Sequence, residues 1–185
     1  VNVLLSGVDA SGNSASSLFV VSVSDSVDPS VTLESGVMLA LNSSGFVGIS
    51  SSDVVMSSSD NCGVESSVTN VSLFGCGSVG SQGVSVTVTD VNGNSVVSST
   101  SVSVVDMSSP DVVSMDVSVS LDGNGDGMIA VSDADDGSSD NCAFTLSVNQ
   151  SMFGCSDVGD VNVLLSGVDA SGNSASSLFV VSVSD

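Results

Sequence analysis

Apolar and small polar residues alternate along most of this chain. Val84, Val86 and Val88 are separated by Ser85 and Thr87, and Met115, Val117, Val119 and Leu121 by Asp116, Ser118 and Ser120. Phe179, Val181 and Val183 continue the pattern near the end. A period of two sends successive side chains to opposite faces, so each run predicts a strand with one buried and one wet face. The dominance of Val supports this, because a side chain branched at Cβ is stiff and fits a pleated surface better than a helix. Asp90-Val-Asn-Gly93-Asn94 and Asp169-Ala-Ser-Gly172-Asn173 each stand between two such runs and read as turns, with glycine supplying a positive φ. No stretch shows a helical apolar period. Many short strands spaced by turn signals predict an antiparallel β-sandwich.

The same landmarks occur twice. Asp25-x-x-x-Pro29 returns as Asp106-x-x-x-Pro110, Asp60-Asn61-Cys62 as Asp140-Asn141-Cys142, and Phe74-Gly75-Cys76 as Phe153-Gly154-Cys155. Leu41, Ile49 and Asp53 answer to Leu121, Ile129 and Asp133. Residues 1–25 repeat letter for letter as residues 161–185. The expected organisation is therefore all-β, with tandem sandwich repeats of about 80 residues. Residues 1–25 are the C-terminal part of a preceding repeat, 26–106 a first complete repeat and 107–185 a second. Two strands are marginal alone in water, so 1–25 is expected to be completed by a preceding unit or a neighbouring subunit.

Composition narrows the function. Ser and Val make up nearly half the chain, and there is no Lys, Arg, His, Tyr or Trp. A formal charge of −21 repels nucleic acid and anionic membrane surfaces and attracts divalent cations. No apolar run reaches 18 residues, so no membrane insertion is expected. Serine has no His or Lys to act as base and no Arg to bind an oxyanion, which argues against an enzyme. Paired carboxylates could run glycoside hydrolysis, but these acids fall in turns and linkers at repeated positions.

Three groups of residues could carry chemistry. The cysteines read as two pairs, Cys62 with Cys76 and Cys142 with Cys155, each closing a short loop within one repeat. Zinc is disfavoured because no His or further Cys completes four ligands, and a disulfide points to an oxidising, extracellular setting. Asp122, Asn124 and Asp126, followed by Asp133, fit a calcium-loop spacing, although the flanks read as strands and Asp reaches less far than Glu. A turn rich in Gly and Asp is the plainer reading. Asp25 and Asp106, with Asp28 and Asp111 nearby, form a second candidate cation site between repeats, against a plainer reading as solvated acids. Asn42, Asn70 and Asn149 head glycosylation sequons, which are expected by chance in so serine-rich a chain.

The string from Asp60 to Pro110, with its Asp-Asn-Cys, Phe-Gly-Cys and Asp-x-x-Gly-Asn motifs, resembles the hyalin repeat. The resemblance spans both units and the leading fragment. It implies an immunoglobulin-like β-sandwich in an extracellular, cell-surface array, as in giant adhesins of gliding Bacteroidota. It implies adhesion or spacing, with no catalytic residue. Hyalin repeats usually carry a further cysteine pair, where this chain has Leu33 and Ser98, and Ser114 and Ser177. The expected partners are neighbouring repeats or like subunits in a filament, with surface glycans or substrata as further candidates. The alternative functions are a glycan- or protein-binding module, or an accessory sandwich of a secreted enzyme.

Overall fold

A computed structural model describes all residues, 1–185. The chain opens with a hairpin, β1 (Asn2–Val8) and β2 (Ser14–Val20). The first body follows with β3 (Ser30–Leu33), β4 (Val37–Ala40), β5 (Phe46–Gly48), a single turn α1 (Ser51–Val54), β6 (Val55–Ser59), β7 (Val64–Thr69), β8 (Leu73–Gly75), β9 (Gly80–Asp90) and β10 (Ser95–Val105). The second comprises β11 (Val117–Ser120), β12 (Asp126–Met128), α2 (Val131–Ala134), β13 (Phe144–Val148), β14 (Met152–Gly154), β15 (Gly159–Asp169) and β16 (Ser174–Ser184).

Each body is built on one four-stranded sheet, ordered β4-β10-β9-β7 in the first and β11-β16-β15-β13 in the second. The long central hairpins pair antiparallel, while β4 and β11 run parallel to β10 and β16. That parallel edge means the chain enters each body beside the strand by which it leaves, so successive bodies follow one another end to end. In the first body β3 pairs with β6 to form the opposing layer. In the second this layer thins to two bridges, Asp111 with Ser139 and Ser114 with Asp135. The result is the β-sandwich that the alternation predicts, with a parallel edge strand in each body, and of the immunoglobulin-like form that the resemblance implies. No helix is long and apolar enough to cross a membrane.

The period-two pattern places the core. Val84, Val86 and Val88 are fully buried and pack with Leu39, Leu41, Ile49, Val54, Phe74, Val102 and Val104. In the second body Val163, Leu165, Phe179, Val181 and Val183 pack with Ile129, Ala134 and Phe153. The one-turn helices α1 and α2 were not expected from the sequence. Four residues carry no amphipathic period to detect, and each helix is held by a local bond instead. The Asp53 carboxylate accepts from the Ser50 N–H at 2.7 Å, and Asp133 accepts from Ala130 N–H at 2.8 Å.

Identical sequences end in different surroundings. β1 and β2 pair in the same register as β15 and β16, with Asn2 opposite Val20 as Asn162 is opposite Val180. Leu165 is 0 % exposed, whereas Leu5 is 66 % exposed. The backbone hydrogen bonds of the hairpin are therefore set locally, and burial of its apolar face is not.

Candidate functional site: the joint between the two sandwiches

The cysteine, asparagine and aspartate motifs of the repeats meet where the sandwiches join. The Asp-x-x-Gly-Asn turns crown one end of each body. The Asp169 Oδ1 accepts from the Ser171 and Asn173 N–H groups at 2.9 and 2.8 Å, and its Oδ2 from Asn173 Nδ2 at 2.7 Å. Asp90 makes the same three bonds with Asn92 and Asn94, and Asp9 makes them with Ser11 and Asn13. Gly93 and Gly172 take φ of 94° and 91°, which a side chain would resist. Asp90 and Asp169 are both buried. Burial pushes their carboxyls up, but the hydrogen bonds from the side chains and backbones of Asn94 and Asn173 and their neighbours outweigh it and hold both below the usual carboxylate range.

A carboxyl depressed by folding stabilises the protein above the unfolded value, near 4 for Asp, and that contribution disappears as pH falls through the folded value. Stability measured from pH 7 down to pH 2 should therefore show an acid limb below about pH 4. Asp90→Asn should lower stability at neutral pH and reduce that limb. An unchanged limb in this variant would remove the turn carboxylate from the explanation.

The second body docks onto the first through its Asp-Asn-Cys loop. Asn141 Nδ2 donates to the Asn42 carbonyl and to Asp106 Oδ1, both at 3.1 Å. Asn173 Nδ2 donates to the Asp106 carbonyl at 3.2 Å, and Ser108 N–H to Asp106 Oδ1 at 3.2 Å. Asp106, the last residue before the linker, is thus held by the body it leads into. Gly45 sits opposite at φ 78°, and a Cβ there would strike the Asn141 carbonyl and come within 2.8 Å of the Cys76 sulfur. Only glycine lets the two bodies approach this closely.

A disulfide closes the joint, and it corrects the pairing expected from sequence. Cys76 is bonded to Cys142 across the joint, 66 residues apart, and Cys62 and Cys155 are free and exposed. The physical reason lies in β9. Cys62 lies beside the turn at the C-terminal end of β9, where Val91 N–H donates to the Gly63 carbonyl. Cys76 opens the short 3₁₀ turn leading into its N-terminal end. The 11 residues of β9 place those ends roughly 33 Å apart, far beyond the ~6 Å between Cα atoms that a disulfide spans. The short sequence spacing hides a traverse of the whole sandwich along β7. What lies close to the lower cysteine of one body is the upper cysteine of the next.

Carboxylates converge at the same place. Ligand atoms of Asp106, Asp140 and Asp169 all lie within 4.8 Å of one another, with Asp106 and Asp169 buried. The equivalent group ahead of the first body is Asp25, Asp60 and Cys62. Of the linker acids singled out in the sequence, Asp25 and Asp106 enter these clusters, and Asp28 and Asp111 do not. The Asp25 carboxyl is held low by hydrogen bonds from Val27 N–H and Asn61, and Asp25 in turn pushes the Cys62 thiol up. Asp140 Oδ1 and Asn141 Oδ1 are buried at the joint without a hydrogen-bond partner, as are Asp25 Oδ2 and Asp60 Oδ1 at its counterpart. No Lys, Arg or His exists in the chain to neutralise them. Sequence reasoning missed Asp60, Asp140 and Asp169 as members of these groups, because their proximity comes from the docking of three loops and from no local spacing.

The residues of the calcium-loop spacing are otherwise engaged. Asp122 Oδ1 accepts from the Asn124 and Asp126 N–H groups at 2.8 and 3.1 Å, closing the turn into β12. Asn42 does the same for Ser44 and Phe46 with an uncharged amide. Asp133 caps α2, and Asp122, Asp126 and Asp133 do not converge. The sequon asparagines are likewise structural: Asn70 and Asn149 each accept a backbone N–H at 2.8 Å, from Ser85 and Leu164. Ser114 and Ser177 are hydrogen-bonded to each other at 2.8 Å.

No family model matches the chain, and no curated protein does. Among solved structures, it is similar to protocadherin gammaB7 domains EC3–6, at 13 % identity over 100 % of this chain with a TM-score of 0.40. It spans 58 % of that protein's length. It is similar to human mucin-like protocadherin EC1–2, at 12 % identity over 84 % of this chain and 97 % of that one, with a TM-score of 0.40. A third similar structure is mouse cadherin-23 EC22–24, at 12 % identity over 98 % of this chain and 73 % of that one, with a TM-score of 0.37.

Proposed function

We propose that this chain is a non-catalytic segment of an extracellular rod, built from tandem sandwiches of the hyalin-repeat type and serving adhesion or spacing at a cell surface. The observation that carries this reading is the joint. A disulfide, a three-residue Asp106–Asn141–Asn42 relay and a glycine contact fix one sandwich on the next. Two bodies so fixed transmit orientation along the chain, and repetition then gives length and stiffness. The bridge belongs to an oxidising compartment. The motifs that carry the resemblance, Asp-Asn-Cys and Phe-Gly-Cys, are the ones that build the joint.

A divalent cation, with calcium the natural choice for oxygen donors, completes this reading. Asp106, Asp140 and Asp169 would hold it, and the partnerless buried oxygens of Asp140 and Asn141 fit that role. Its charge would relieve the repulsion of buried carboxylates that no side chain of the protein offsets. Calcium in excess should raise the melting temperature by about 5 °C, and chelation should reverse it. Asp140→Asn should abolish the shift.

The test of the rod itself is small-angle scattering of the 185-residue chain, which should report two bodies held end to end at one fixed separation. A broad distribution of inter-body distances under oxidising conditions, with calcium present, would overturn it.

A further inference from the structure

The disulfide and the carboxylate cluster of the joint share one loop. Asp140, Asn141 and Cys142 are consecutive in the segment between α2 and β13. Cys142 carries the bridge to the first body, and its N–H donates to Asp140 Oδ2 at 3.3 Å. Cys76, Cys142, Asp106 and Ser171 line a single cleft. We infer that bridge and cluster form one reciprocal switch: the oxidised joint holds a divalent cation, the reduced joint releases it, and the bound cation makes the bridge harder to reduce. This rests on the cation reading of the joint and adds how that site is regulated.

The loop is held against a repulsive load. Asp106 and Asp169 are only 8 % and 6 % exposed. The hydrogen bonds to the Asp106 carboxylate, from Asn141 Nδ2 and Ser108 N–H, both go to Oδ1. Asp140 Oδ1 and Asn141 Oδ1 are buried with no partner. Three carboxylates with ligand atoms within 4.8 Å of one another repel, and no Lys, Arg or His offsets them. On its own body the loop is tied by the Asp111 and Ser139 backbones, each donating to the other's carbonyl at 2.8 and 2.9 Å. To the first body it is tied by the Asn141–Asn42 hydrogen bond and by the bridge. A hydrogen bond contributes only about 1 kcal/mol net, so the bridge is the stronger of those two ties.

Asp106 follows directly on β10 of the first body, whereas Asp140 and Asp169 belong to the second. Gathering all three around one ion therefore requires the bodies to be docked. Opening the bridge lets the loop relax away from Asp106 under the mutual repulsion, and the site loses its geometry. Linkage makes the effect mutual: the factor by which reduction weakens cation binding is the factor by which the cation disfavours reduction. Couplings between sites run roughly 5–150-fold. A weakening of about tenfold corresponds to about 30 mV for a two-electron couple.

Reduction itself is an exchange with a dithiol. The bridge accepts two electrons and two protons and leaves Cys76 and Cys142 as thiols, while the dithiol closes to a cyclic disulfide. Both cysteines are half-buried in the cleft, so an attacking thiol can reach them.

The test uses the 185-residue chain with calcium alone as the probe. Titration calorimetry measures calcium binding to the oxidised chain and to the chain in excess dithiothreitol. In parallel, the chain is equilibrated in dithiothreitol redox buffers with calcium or with chelator. Thiol alkylation and peptide mapping then read the fraction of Cys76–Cys142 bridge. The expected results are binding about tenfold weaker after reduction and a midpoint potential about 30 mV lower in calcium. Asp140→Asn should remove the calcium-dependent shift, and a shift that persists in this variant would overturn the assignment to this cluster. Equal affinity in both redox states, with a potential unmoved by calcium, would overturn the switch while leaving a cation site at a stapled joint. No calcium binding by the oxidised chain would overturn the cation reading and the switch with it. Each body has its own core, so far-UV circular dichroism should be unchanged by reduction. Loss of strand signal would overturn a switch confined to the joint.

Discussion

Leu165→Ala should destabilise the second sandwich by about 3 kcal/mol, within the 2–5 kcal/mol range of buried Leu truncations. The same replacement at Leu5, in the same local sequence, should cost less than about 0.5 kcal/mol, as exposed substitutions do. Leu165 is fully buried among Val163, Phe179 and Val181, and its removal leaves a cavity that the stiff valines around it fill poorly. Leu5 has lost most of that contact already. Urea unfolding of both variants as monomers measures the difference. Equal costs would mean that the apolar face of the hairpin 1–25 is buried in solution.

The second large effect belongs to the joint. Cys76→Ser opens a loop of 66 residues and should cost about 4 kcal/mol on the chain-entropy scale. It should also broaden the distribution of angles between the two bodies in electron micrographs. Cys62→Ser and Cys155→Ser should leave both quantities as they are in the monomer, since neither residue is bridged there. Pairing within each body would give a different pattern, with Cys62→Ser as costly as Cys76→Ser.

What the sequence disclosed and what it concealed divide along the range of the forces. Alternation is a local property, so the faces carrying Val84, Val86 and Val88, and Phe179, Val181 and Val183, could be read directly and are buried. The turns at Asp90 and Asp169 were legible too, because Asp, Gly and Asn act within five residues of one another. Cysteine pairing is not local. Cys62 and Cys76 are neighbours in sequence, and a full-length strand separates them in space. Asp122 and Asp169 show the same limit from the side of charge. Both close turns, and only the docking of a second loop makes Asp169 part of an acidic cluster.

The most direct test of a stapled joint is the disulfide map of the native chain. Trypsin has nothing to cut here, but chymotrypsin can cleave after Phe74, Leu121 and Phe153, and so place the four cysteines on separate peptides. A joint that fixes one sandwich on the next predicts a Cys76 peptide linked to a Cys142 peptide in the monomer. Cys62 linked to Cys76, together with Cys142 linked to Cys155, would contradict it and leave the two bodies joined by the linker alone.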